Sequence, residues 1–481
     1  MSPRTLLPLN FRLSAAIATD FLYVRPRKRR IFHLRQLTTT TTVSSGSKHI
    51  NMQFLWGLAV GFLAAIGPTV ASPTPIGHAR SDDGHFSIAQ VHNPKFVRHG
   101  PFALYKALRK YGAPIPDELS ASVQRMVSKR ATGSAVATPE LYDTEFLTPV
   151  SIGTPPQNLN VDIDTGSGDM WVFASSTPAW ELNGHDYYSP ANSSTSAKLT
   201  GQAWEISYGD GSSCSGDVYT DTVSLGGLTV TQQAVECAKE LSPEFTNDTS
   251  NDGLIGLAFS MLNTVTPTQQ KTFFESALES LDSPVFTADL KAGARKCCPL
   301  PMCRHLADLV GLMPAGLYNF GYIDNSSFMG AITYTRVDNS NGFWEFTSTG
   351  YSVGSGSFKS AKIDGIADTG TTLLLLPPPV VADYYKQVDG AKYSVRGAGW
   401  IFPCETKPPN FVFGVEGARI TIPGKYVSFS PDDTLSTNCF GGIQENTGIE
   451  FAIFGDVALK SAFVVFDGGK KQLGWASKVL H

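Results

Sequence analysis

Two Asp-Thr-Gly triplets stand out in this chain, Asp164-Thr165-Gly166 and Asp368-Thr369-Gly370. Each offers a carboxylic acid, a hydroxyl and a residue without a side chain. Two carboxyls held a few Å apart cannot both ionise, so such a pair keeps one proton between them. Its apparent pKa values then belong to the pair and not to either acid. The ionised member can take a proton from water while the protonated member gives one to a carbonyl oxygen. The chemistry this predicts is hydrolysis of peptide bonds, fastest in acid. The neighbours suit that role. Gly166 and Gly370 permit tight turns that bring backbone N–H groups to the carboxylates. Thr165 and Thr369 can anchor the two loops to each other, and the hydroxyls of Ser167 and Thr371 can donate to the outer carboxylate oxygens.

A single triplet would read as a turn, since Asp and Gly favour turns. The local context repeats, however. Leu159-Asn160-Val161-Asp162-Ile163 precedes the first triplet, and Ile363-Asp364-Gly365-Ile366-Ala367 precedes the second. Apolar stretches follow both, Met170-Trp171-Val172-Phe173 and Leu373 to Leu376. Farther on, each half has an apolar-apolar-Gly run, Leu254-Ile255-Gly256 and Ile453-Phe454-Gly455. This echo predicts a duplicated lobe, with one acid from each copy.

The elements around these motifs are short alternating strands separated by Gly, Asn, Asp and Ser turns. Val218 to Leu225 alternates and turns at Gly226-Gly227; Phe463 to Phe466 precedes Asp467-Gly468-Gly469. The best helical patterns are Lys271 to Leu281 and Pro379 to Val388. The expected class is all-β, as barrels or sandwiches. Composition agrees, with 42% hydrophobic residues and only 17% charged ones in 481 residues.

Charge divides the chain. Residues 1–130 carry 18 Lys and Arg against five Asp and Glu, whereas 131–481 carry 20 against 37. This suggests a detachable basic segment on an acidic body. A nucleic-acid or membrane role fits poorly, because the body has no basic stripe. Residues 52–71 read as a signal peptide, an uncharged apolar run with a small-residue exit. Pro68 and its marginal length argue against a membrane anchor. Residues 1–51 are Arg-rich, with a run of Thr and one acid, Asp20. We read Met52 as the true start and 1–51 as translated upstream sequence. Residues 72–130 read as a propeptide ending at the dibasic pair Lys129-Arg130.

From about Ala131 onward the chain resembles the pepsin-like aspartic endopeptidases, in their secreted fungal branch. The resemblance rests on Val150 to Gln157, the first triplet, Ser207 to Ser212, Asn251 to Phe259, Gly365 to Leu373 and Ile453 to Asp456. It implies a bilobal pepsin-like fold, two β-barrel-like lobes with a central cleft, a first lobe over 131–312 and a second over 313–481. It makes Asp164 and Asp368 the catalytic pair. It places Tyr208, Gly209, Asp210 and Ser212 in a flap over the substrate, with Trp171 as partner of the flap tyrosine. Asp210 can be read as an acceptor for Lys at P1 or as a plain turn residue. The substrates would be proteins and peptides with bulky apolar residues around the cut. The enzyme is expected to be secreted, to act as a monomer, and to be inhibited by its own propeptide. Lys110 is the candidate to bridge the two carboxylates, and acid is expected to loosen that latch.

The resemblance also implies a Cys404–Cys439 disulfide, and it puts Cys214 and Cys237 on neighbouring strands that could carry a second. Cys297, Cys298 and Cys303 fall in residues 292–314, where related chains have a short loop. We read that segment as a retained intron. Its Cys spacing makes a poor metal site. Asn192, Asn247 and Asn325 head glycosylation acceptors. No metal, cofactor or nucleic-acid motif is present. The rival readings are a catalytically silent peptide-binding relative and a membrane-tethered protease. Both acids and Tyr208 are present against the first, and no hydrophobic tail ends the chain to favour the second.

Overall fold

The computed structural model describes residues 84–93, 98–129, 146–182, 184–207, 213–242, 250–292, 316–432 and 437–480. The chain divides into two units, Met1–Thr74 and Pro75–His481, and all described residues belong to the second. The expected signal peptide, the flap residues Tyr208 to Ser212, Arg130, Asn247 and nearly all of 292–314 lie outside the described residues.

Strands dominate, as the alternating pattern predicts. In the first half they are β1 (Phe86–His92), β2 (Phe146–Ile152), β3 (Gln157–Asp164), β4 (Met170–Val172), β5 (Ala197–Ser207), β6 (Ser213–Leu225), β7 (Leu228–Leu241), β8 (Gly253–Gly256) and β9 (Val285–Leu290). The second half has β10 (Gly316–Phe320), β11 (Met329–Arg336), β12 (Glu345–Val353), β13 (Lys359–Ala367), β14 (Leu374–Leu376), β15 (Lys392–Ser394), β16 (Gly399–Pro403), β17 (Phe411–Val415) and β18 (Ala418–Ile422). It ends with β19 (Ser428–Pro431), β20 (Asn438–Gly441), β21 (Ile443–Glu445), β22 (Ala452–Phe454), β23 (Ala462–Asp467) and β24 (Gln472–Ser477). They form sheets of thirteen, seven and four strands. The β6–β7 hairpin closes at Gly226-Gly227, both with positive φ, as a two-residue turn matched to strand twist requires.

The duplication is visible in the topology. β3 runs parallel to β8 and β13 runs parallel to β22, so each triplet leaves its strand beside an apolar-apolar-Gly run. β4 and β14 then pair antiparallel to β8 and β22. The largest side chains of the core, among them Trp344, Trp475, Phe286 and Phe454, are fully buried.

The basic segment folds onto this body. β1 pairs with β10 and β2 inside the thirteen-stranded sheet. Two helices follow, α1 (Gly100–Lys110) and α2 (Asp117–Lys129). Neither was among the helical patterns singled out above. Both are amphipathic, and helices this short are held mainly by the face they bury. Leu104, Ala107 and Leu108 of α1 recur at helical spacing and pack with Leu373, Leu375, Phe440 and Ile453. His99 caps α1, its Nδ1 accepting from the Phe102 N–H at 3.3 Å. At Gly100 a Cβ would lie 2.1 Å from the Phe440 ring, so this contact admits no side chain. The helix is thereby aimed along the second lobe, and its last residue, Lys110, reaches the two triplets.

The helical pattern at Lys271 to Leu281 is realised as Phe273–Ala277 plus a 3-10 turn, Leu278–Ser280. The one at Pro379 to Val388 is realised as the helix Pro378–Tyr385.

Candidate active site

Each triplet turns tightly at the end of a strand whose last three residues are buried. The two turns are tied together by their threonines. The Thr165 N–H donates to Thr369 Oγ1 at 3.1 Å, and the Thr369 N–H donates to Thr165 Oγ1 at 3.0 Å. Each hydroxyl then donates across the dyad, Thr165 to the Ala367 carbonyl at 2.8 Å and Thr369 to the Ile163 carbonyl at 2.7 Å. Four buried hydrogen bonds thus fix the separation of two loops 204 residues apart.

The carboxylates are fully enclosed, Asp164 at 2% exposure and Asp368 at 0%. Gly166 N–H donates to Asp164 Oδ1 at 2.8 Å, and Gly370 N–H donates to Asp368 Oδ1 at 3.0 Å. A Cβ at Gly166 would stand 2.6 Å from Asp368 Oδ1, and one at Gly370 would stand 2.3 Å from Asp164 Oδ1. Glycine is required here by close approach. Ser167 Oγ donates to Asp164 Oδ2 at 2.6 Å, as expected.

The Thr371 hydroxyl is buried beside Asp368 and acts to lower its pKa. The outer oxygen of Asp368, Oδ2, also accepts from the Tyr111 hydroxyl at 2.5 Å. Tyr111 follows α1, and its ring packs edge-on against Phe343 and Phe451. Sequence reasoning assigned Tyr111 no role. The one available signal was an aromatic hydroxyl adjoining Lys110.

Lys110 bridges the pair. Its Nζ lies 2.7 Å from Asp164 Oδ1 and 3.0 and 3.1 Å from the two oxygens of Asp368. Burial alone pushes Asp164 upward, but the Lys110 charge and the hydrogen bonds from Asp368, Lys110 and Ser167 outweigh it and hold Asp164 at about 2. Asp368 is raised, by burial first and by the Asp164 charge against the opposing pull of Lys110. Burial works against the Lys110 ammonium, yet the two carboxylates lift its pKa above the ordinary value. The acids are therefore unequal with the lysine in place, Asp164 the more readily ionised and Asp368 the more readily protonated.

The thirteen-stranded sheet, the matched strand–turn pairs and the two facing acids agree with the sequence comparison. The model of the eukaryotic aspartyl proteases matches residues 145–299 and 311–478. The chain belongs to that family. It is similar to endothiapepsin of Cryphonectria parasitica, 56% identical over 400 residues that span 82% of this chain and 91% of the relative. Aspergillopepsin-1 of Aspergillus fumigatus is 48% identical over 411 residues, 85% of this chain and 95% of the relative. Penicillopepsin-1 of Penicillium rubens is 49% identical over 378 residues, 79% and 87% of the two chains. The protein is accordingly an aspartic-type protease, a hydrolase with the bilobal pepsin-like fold.

The protease carries one disulfide among the described residues, Cys404–Cys439, joining β20 to the segment after β16. The second bridge does not form: Cys214 and Cys237 are free and buried. They do sit on paired strands, but the register sets Cys214 opposite Leu241 and Cys237 opposite Asp217. An offset of three residues is roughly 10 Å along a strand, beyond disulfide reach. Their side chains also enter different apolar clusters.

Trp171 is buried in β4 and stacks on Trp204 with ring centroids 6.3 Å apart. The acceptors Asn192 and Asn325 are exposed. Among the described residues no three His, Cys, Asp or Glu side chains are grouped to hold a metal ion, and no helix is long and apolar enough to cross a membrane.

Proposed function

We propose that this chain is the zymogen of a secreted acid endopeptidase that cleaves peptide bonds with the Asp164–Asp368 pair. The observation that carries this reading is the Lys110 ammonium lodged between two buried carboxylates, at 2.7 and 3.0 Å. A basic segment that plugs an acid pair is an inhibitor of whatever that pair does.

With the segment gone, the pair holds a water against the substrate carbonyl. The ionised carboxylate accepts a proton from that water as its oxygen adds to the carbonyl carbon. The protonated carboxyl gives its proton to the carbonyl oxygen, forming a neutral gem-diol. As the C–N bond breaks, the proton just gained passes to the leaving nitrogen, and the diol returns a proton to the other acid. The pair ends as it began. The hydrogen bonds of Gly166, Gly370 and Ser167 are already formed, so little reorganisation accompanies the step.

Residues 52–71 would direct secretion, and cleavage after Lys129-Arg130 would free residues 72–130. Bulky apolar side chains would be preferred around the cut, and Asp210 would admit Lys at P1. Residues 292–314 would be an addition to the family framework. Leu290 and Gly316 are register partners in the β9–β10 pair, so the segment leaves and rejoins the sheet at facing positions. Its removal would leave a hairpin.

The test is proteolysis of a denatured protein by the full chain, with and without 292–314, from pH 3 to 7. Acid-limited cleavage that Asp164→Asn abolishes is the expected result. A well-folded chain that releases residues 72–130 and still cuts nothing would make it a silent peptide-binding relative.

A further inference from the structure

A second pair of acids is buried five residues beyond Asp164. Asp169, in the loop after the first triplet, and Glu236, on β7, are each 1% exposed. Asn263 stands between them. Its Nδ2 donates to Asp169 Oδ1 at 3.0 Å and to Glu236 Oε1 at 2.8 Å, while its Oδ1 accepts from the N–H groups of Val265 and Gln270 at 3.2 and 2.8 Å. The Thr264 N–H donates to Asp169 Oδ1 at 2.7 Å. Glu236 accepts from the Met170 N–H, and its Oε2 has no partner among the described residues.

The groups that face this pair are acidic or neutral. Asp164 projects its charge from the end of β3, and the charges of Glu236, Glu181 and Asp169 all bear on the Cys214 thiol of β6. Cys237 adjoins Glu236 on β7. Among the described residues neither acid has a cationic partner. Two carboxylates in such a site cannot both ionise. Asn263 Nδ2 ties the two carboxylates to one donor, and burial followed by the Asp169 charge favours the protonated form of Glu236.

The pair adjoins the reaction centre through the backbone. The Asp169 carbonyl accepts from the Gly256 N–H at 2.7 Å, and Gly256 is the register partner of Asp164. The next N–H, of Leu257, donates to the Asp164 carbonyl at 2.8 Å. Glu236 is itself the register partner of Trp171. Losing the shared proton would push apart β7 and the loop that positions Asp164.

We propose that Asp169 and Glu236, sharing one proton and clamped by Asn263, position the Asp164 loop, and that loss of this proton sets the upper pH limit of the first lobe. Only the catalytic consequence rests on the proposed role of Asp164; the structural one does not. Burial, then hydrogen bonding and neighbouring charge, leave Asp169 at about 6, and burial followed by the Asp169 charge raises Glu236 well above the carboxylate range. Both shifts are upward. The stability they confer is therefore full below the ordinary carboxylate range and is lost as pH rises through about 6 and beyond.

The experiment is the melting temperature of the full chain from pH 5 to 8, for wild type, Glu236→Gln and Asp169→Asn. Glutamine keeps a donor toward Asp169 and cannot ionise. The advantage of Glu236→Gln over wild type should grow as pH rises, moving the pH of half-unfolding up by about one unit or more. An offset independent of pH overturns the proposal. Should neither amide variant fold, wild type decides: a melting temperature that stays level or climbs from pH 5 to 7 overturns it, and a fall that persists in Asp162→Asn and Asp368→Asn, the other buried acids with raised pKa, supports it. Melting requires no turnover, so a failure of the catalytic reading is seen separately. The upper limb of the kcat/KM profile of activated Glu236→Gln should move with its melting curve. A limb that stays in place while melting shifts overturns the positioning role.

Discussion

Replacing Lys110 by methionine should turn a latent chain into one that activates near neutral pH. Lys110 Nζ is held by three carboxylate oxygens within 3.1 Å, and its side chain is only 12% exposed. Breaking a buried ion pair costs about 3–5 kcal/mol, mostly through the charge left behind. Here the partners are two acids that can share a proton, which relieves part of that charge and favours the low end. About 3 kcal/mol corresponds to roughly a hundredfold larger population with the segment undocked. The assay follows conversion of the full chain on gels and the cleavage of a quenched peptide at pH 6. The double variant with Asp164→Asn reports contaminating proteases. Lys110→Met should convert about a hundredfold faster than wild type at pH 6. Conversion no faster than wild type would refute the reasoning. The pH dependence has a definite sign. Asp164, held down at about 2, contributes to docking above its ordinary value of about 3.9, and that contribution disappears as pH falls toward about 2. Asp368 is shifted upward, so its contribution is greatest in acid and is lost as pH rises through its raised value. Acid release must therefore work through Asp164, and wild-type conversion should stay slow from pH 6 to about 4 and accelerate only below that.

Three further outcomes are expected. Thr165→Val leaves the buried Thr369 N–H and Ala367 carbonyl unpaired and should cost about 2–4 kcal/mol, seen as a lower melting temperature that Thr165→Ser largely restores. Gly370→Ala puts a Cβ 2.3 Å from Asp164 Oδ1 and should lower kcat/KM at least about a hundredfold, with circular dichroism unchanged. Cys404→Ser opens a bridge between residues 35 apart and should lower stability by about 3–4 kcal/mol in denaturant titration, the same loss that reduction of wild type produces.

Much of this protein was legible in its residues because the relevant signals are local. Alternation with a period of two announces strands, and Gly226-Gly227 announces a hairpin, since both depend on neighbours in the chain. The repeated triplets and their trailing apolar runs were equally local, which is why the duplicated site could be placed by number. Lys110 was singled out through the family resemblance, and its Nζ lies between the two acids. What the sequence could not decide were distances between segments far apart in the chain. That the outer oxygen of Asp368 accepts from Tyr111 depends on how α1 docks on the second lobe. Whether Cys214 meets Cys237 depends on the register of two strands, and a slip of a few residues separates them. The pairing of Asp169 with Glu236 carries no sequence motif at all. It arises because Asn263 and β7 close over the catalytic loop, and only that enclosure, by removing water, makes two ordinary acids share a proton.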